Sequence, residues 1–155
     1  MKILLLSLSY LLVFGFGFGL GVYLLPILSA PPPPTPAELQ AAAQDRMFSG
    51  TFRRDLKGSD AFHWGEGQIT LTPRAATFSG KLGPGPAYKL YLVRGFVEDG
   101  DAFQRVKAQA LPVGDIRTFE GFILPLPPGT APENYDTAVV WCEAFSRFIT
   151  AAKYR

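Results

Sequence analysis

Cys142, His63 and Met47 are the only thiol, imidazole and thioether side chains after the apolar N-terminal segment. A lone thiol is suited to redox chemistry, to ligating iron, or to one half of an intermolecular disulfide. A small buried hydrophobe is the other role open to a free cysteine. Cys142 ends the run Thr137-Ala138-Val139-Val140-Trp141-Cys142. If that run is a strand, Ala138, Val140 and Cys142 share one face, and Thr137, Val139 and Trp141 share the other. Both faces are mostly apolar, as in a central strand. An unpaired thiol in an oxidising compartment is a liability, so its presence needs a reason.

His63 stands in Asp60-Ala61-Phe62-His63-Trp64-Gly65-Glu66-Gly67, just before a strand. It either bonds to nearby backbone or serves as an axial ligand or proton carrier near neutral pH. Thiolate and imidazole together make a plausible haem-iron pair. There is no C-x-x-C-H, so covalent c-type attachment is excluded. A haem site would draw on Cys142, His63 and Met47, unless a tyrosine serves. The chemistry not supported is just as clear. One cysteine excludes an internal disulfide framework and a zinc ribbon, and one histidine excludes a two-histidine metalloprotease helix. No nucleophile elbow, P-loop or dinucleotide fingerprint is present, so a classical enzyme is not expected. Asp99 and Asp101 flank Gly100 in what reads as a turn, with too few oxygens for a calcium loop.

The elements that would position these side chains are short. Segments rich in aromatic and β-branched residues lie at 47–52, 68–72, 76–78, 88–93, 119–124 and 137–142. Turn signals separate them: Gly83-Pro84-Gly85-Pro86, Glu98-Asp99-Gly100-Asp101 and Pro127-Pro128-Gly129. This texture predicts an all-β fold, an antiparallel β-sandwich of immunoglobulin-like or jelly-roll-like type. The tail 143–155 has helical spacing at Phe145, Phe148, Ile149 and Ala152, but its context favours a strand.

The 155 residues are not one uniform domain. No charged side chain occurs from Ile3 to Ala37, and Lys2 is the only charge before that run. Residues 1–30 read as a membrane anchor, since Ile3 to Leu25 can cross a bilayer of the usual thickness. A cleavable signal peptide is the alternative, but Leu28 is too large for the −3 position of a cut after Ala30. Either way the bulk of the chain is exported. Residues 31–46 read as a polyproline stalk and a short helix running to about Arg46, with Thr35, Pro36 and Glu38 forming a capping box. Residues 47–155 are the sandwich. From Glu38 onward the charges nearly balance and no basic face is apparent, which argues against nucleic acid as a partner.

An ordered series of motifs then resembles one known family. Phe48-Ser49-Gly50-Thr51-Phe52, His63-Trp64-Gly65-Glu66-Gly67 and Gly83-Pro84-Gly85-Pro86-x-Tyr88-x-Leu90-Tyr91-Leu92 lead to Val139-Val140-Trp141-Cys142-x-x-Phe145. Together they resemble the electron-transfer DM-thirteen domain over roughly Phe48 to Tyr154. The resemblance implies that Cys142 is the family's hallmark cysteine, acting in redox chemistry as a bare thiol or by holding a prosthetic group such as haem. His63, Trp141 and Trp64 are then the residues expected to shape or ligate that site. It also implies the stand-alone bacterial kind: a single-pass inner-membrane protein with a periplasmic domain and an envelope redox partner. Secretion after signal cleavage remains the alternative location. A non-catalytic envelope scaffold, with Cys142 only a core residue, is the rival function.

Gly15, Gly17, Gly19 and Gly21 contain overlapping GxxxG spacings, which let two membrane helices approach closely. Two readings are open: a homodimer through Gly15 and Gly19, or glycine that is simply common in such helices. In a membrane reporter assay, Gly15→Leu with Gly19→Leu should abolish association; unchanged association would refute the dimer.

Overall fold

Six consecutive residues in the last third of the chain, Thr137 to Cys142, are all buried, and the architecture is arranged around them. In the computed structural model, which describes residues 1–155, eight strands form two antiparallel four-stranded sheets. They are β1 (Phe48–Phe52), β2 (Gly65–Leu71), β3 (Ala75–Leu82), β4 (Tyr88–Val93), β5 (Leu111–Ile116), β6 (Gly121–Pro125), β7 (Thr137–Cys142) and β8 (Arg147–Lys153). One sheet has the order β1-β2-β3-β6 and the other β5-β4-β7-β8. The β-sandwich expected from the sequence is the fold observed.

β7 is an inner strand of the second sheet, paired with β4 and β8. Its alternation sends Ala138, Val140 and Cys142 into the core between the sheets. There they meet Phe52, Phe78 and Phe122, whose rings lie 5.3 and 5.1 Å apart in sequence along the stack. Val139 and Trp141 point the other way, into a second core on the outer face. That core is closed by helix α3 (Gly100–Val106), whose buried Phe103 lies 4.9 Å from Trp141 and 5.3 Å from Tyr91 between ring centroids.

Two elements differ from the sequence reading. Residues 98–101 are not simply a turn: Asp99 caps α3 by accepting from the Ala102 N–H at 2.7 Å. The carboxylate satisfies a backbone donor that the first helical turn would otherwise leave unpaired. β5 was hidden by Pro112 and Gly114, both poor strand residues. It is tolerated because β5 is an edge strand, where a missing N–H breaks no ladder on the open side. The tail does contain a strand, β8, preceded by a turn at 143–146. Its helical spacing arises from a bulge. Register steps from Val140 opposite Thr150 to Trp141 opposite Phe148, leaving Ile149 as the extra residue.

At the N-terminus, α1 (Lys2–Leu28) is apolar along its length, carries no charge after Lys2 and has no buried residue. It is long and apolar enough to cross a membrane, a test that a signal sequence also passes. A Cβ added to Gly15 or Gly19 would meet nothing within 4 Å, so that face is unfilled. The second helix, α2 (Pro36–Ala42), carries the expected capping box, with Thr35 and Glu38 bonded reciprocally. It ends at Ala42 rather than near Arg46, because the chain turns there to start β1: Met47 donates to the Leu71 carbonyl at 2.8 Å. The proline run is mostly exposed and passes beside the domain. Pro31 to Pro33 border a groove with Trp64, Leu82, Pro84 and Phe119, and Pro33 to Pro36 border the next one with Thr70, Thr77 and Phe78.

Because Phe78 has no exposed surface and touches both neighbouring rings, Phe78→Ala should lower unfolding free energy by about 3–5 kcal/mol. Urea titration followed by circular dichroism measures this directly.

Candidate functional site

Cys142 is the last residue of β7 and lies opposite Tyr88, the first residue of β4. Both side chains face the inter-sheet core at one end of the sandwich. The Cys142 thiol donates to the Pro86 carbonyl at 3.1 Å. The Tyr88 hydroxyl is buried and has no hydrogen-bond partner. An unpaired buried hydroxyl is costly, and in native proteins it calls for an explanation.

A cavity of about 600 Å³ opens over this pair. Its domain side is made by Phe62 and His63 from the loop before β2, Pro84, Gly85 and Pro86 from the loop before β4, and Phe145 from the β7–β8 turn. Residues of α1, among them Gly15, Gly19, Leu20 and Tyr23, form the other wall. Phe62 is 68% exposed and Phe145 54%, which is unusual for phenylalanine and leaves an apolar rim. Two non-glycine residues with left-handed backbone, Ala87 (φ 51°) and Ser146 (φ 49°), sit in these same two turns. Each such residue costs of order 1–3 kcal/mol, and such strain concentrates at functional sites.

The electrostatics of the thiol are divided. Burial pushes the Cys142 thiol up, and the nearby Glu143 carboxylate adds to this. The backbone N–H groups of Phe145 and Ala144 in the β7–β8 turn oppose it. Those amides would stabilise sulfur whenever it carries negative charge. Burial also raises the Tyr88 hydroxyl, with a smaller contribution from Cys142. Both groups are therefore neutral at pH 7.

His63 lies on the rim of the same cavity and is held by Asp60. Its Nδ1 is 2.8 and 2.9 Å from the two carboxylate oxygens. Asp60 also accepts from the backbone N–H groups of Phe62 and His63, each at 2.8 Å. Burial raises Asp60, but these hydrogen bonds outweigh it and hold the carboxyl below its ordinary value. With the carboxylate on Nδ1, Nε2 is the nitrogen left for a ligand or a proton. The donors over the cavity fit a prosthetic group in kind: sulfur on the floor, imidazole on the rim, an unpaired phenol beside them and apolar walls.

The other residues singled out from the sequence lie elsewhere. Trp141 does not line the cavity, because adjacent strand residues face opposite ways. It packs on Phe103, with Lys107 Nζ 5.3 Å from its ring. Lys107 pairs with Glu143 at 2.6 Å, and Tyr91 donates to the same carboxylate. Trp64 borders the neighbouring groove beside the proline run, stacked under Arg54 at 3.3 Å. Met47 does not border the cavity either; it precedes β1, 41% exposed. Tyr88 is the site residue that sequence reasoning passed over. Its only signal was its place in Gly-Pro-Gly-Pro-x-Tyr, which had suggested turn and strand rather than chemistry.

A family model described as "Electron transfer DM13" matches residues 51–154. The chain belongs to the electron-transfer DM13 family. No curated protein and no solved structure matches it. The DM13 match contains every domain residue around the Cys142 cavity and excludes α1, the proline run and α2. The cavity floor is therefore a property of the DM13 domain, while α1 and the stalk are additions to it.

The raised Cys142 value has a consequence for stability. A buried neutral thiol contributes stability that is fully present below its unfolded value of about 8.5 and is lost as pH rises through the higher folded value. Unfolding free energy should fall as pH rises above about 8.5, and Cys142→Ala should fall less steeply. Urea titrations at a series of pH values compare the slopes; equal slopes would mean the thiol is not shifted.

Proposed function

We propose that this protein is a membrane-tethered, exported electron-transfer domain whose redox centre is Cys142. The observation that carries the reading is the sulfur on the floor of an open apolar cavity beside a buried, unpaired Tyr88 hydroxyl, inside the part of the chain that matches the DM13 family. In this reading α1 stays in the bacterial inner membrane and the domain lies in the periplasm. Its redox partner is another envelope protein.

The residues have distinct parts. The Ala144 and Phe145 amides stabilise negative charge on sulfur. Tyr88 supplies a hydrogen-bond donor that nothing else in the chain uses. Asp60 fixes the ring of His63 with Nε2 available. Phe62, Pro84, Pro86 and Phe145 exclude water. A haem, when bound, would supply the one-electron couple, and Cys142 and His63 are the residues that would hold it.

The rival, a scaffold in which Cys142 only fills space, is favoured by one fact: the residue is 2% exposed. Absorption spectra of the detergent-solubilised full chain, oxidised and reduced, separate the cases. Redox function requires one of two results. Either a Soret band appears that shifts on reduction and is lost in Cys142→Ala, or the colourless folded protein has a thiol that reacts before denaturation. A colourless protein, after haem is offered, whose thiol reacts only when unfolded would leave the scaffold.

A further inference from the structure

The path of the chain from α1 to α2 says which end of the sandwich faces the membrane. β3 runs toward the Cys142 end, from Ala75 to Leu82. The proline run goes the opposite way along it. Pro31 to Pro33 lie by Leu82 and Pro84, and Pro33 to Pro36 lie by Phe78 and Thr77. Leu39 of α2 then approaches Gly121. The chain therefore leaves α1 at the Cys142 end and climbs away from it. The run is short and proline-rich, hence stiff, and α2 at its far end meets the sheet through Leu39, so the domain is held close to the end of α1.

At that same end Phe62 and Phe145 stand exposed on two separate loops. Arg147, two residues after Phe145, has a side chain 59% exposed and lies 3.7 Å from the Asp60 carboxylate at the same rim. Exposed aromatics with a neighbouring cation suit the headgroup layer of a bilayer, where apolar side chains enter and arginine meets phosphate. We propose that the Phe62–Phe145 rim seats in the outer interface of the bilayer that holds α1. The Cys142 cavity, walled on its other side by Gly19, Leu20 and Tyr23 of α1, then opens beside the membrane helix, and reactants that reach the sulfur are membrane-soluble rather than aqueous. This rests on the anchored redox reading above.

The full chain in lipid nanodiscs tests it. Trp64 borders the groove next to the rim, so its emission reports the distance to lipid. Trp64→Phe supplies the background from Trp141. With bromine-labelled lipid, the Trp64 component should fall at least about twofold, as expected for an aromatic at the interface. Phe62→Ser with Phe145→Ser, both at exposed positions, should remain in the discs and lose most of that quenching. Quenching as strong in the double variant as in the parent would overturn the seating. So would a retained chain whose Trp64 is unquenched, including one in which discs hold two copies covering each other's rims. A chain that elutes free of the discs would overturn the anchored reading itself, and the seating with it.

Discussion

The whole domain depends on β7 being buried on both faces. A strand with Ala138, Val140 and Cys142 on one side and Val139 and Trp141 on the other needs apolar cover twice. The β1-β2-β3-β6 sheet covers the first face, and α3 with Phe103 covers the second. Without α3 the outer face would leave Trp141, Tyr91 and Phe148 in water. This constraint also fixes the chemistry. Cys142, as the last residue of the strand, comes to the end of the inter-sheet core, where packing gives way to an open cavity.

That position explains why the site mixes core and surface properties. Its sulfur is nearly as buried as the phenylalanines behind it, and burial keeps it protonated. The turns around it are strained, amide-lined and rimmed by exposed aromatics. Lys107 and Tyr91 hold the Glu143 carboxylate on the far face of the sheet, while the Asp60–His63 pair stands at the rim of the apolar cavity.

The linker from α1 runs beside the same sandwich. Polyproline favours an extended path without internal hydrogen bonds, and here that path follows the outer face of the β1-β2-β3-β6 sheet. The capping box of α2 then ends the extended run at a defined place.

Much of this was legible in the sequence alone. The uncharged run from Ile3 to Ala37, the capping box at Thr35 and the alternation of β7 each follow from local rules of solvation, hydrogen bonding and pleat. The family was legible too, because its motifs sit on those local elements. What the sequence could not determine was anything that depends on two segments meeting. β5 was obscured because Pro112 and Gly114 are acceptable only on an edge, and edges exist only once a sheet is assembled. α3 was obscured because its apolar face is short and becomes meaningful only against Trp141. Tyr88 became a site residue only when β4 paired with β7 and brought its hydroxyl beside Cys142. Trp141 and Cys142, adjacent in the chain, were separated by the pleat into different cores. The sequence by itself determined which residue types were available for chemistry. The tertiary structure decided which of them share a cavity, since that depends on strand pairing and burial at long range.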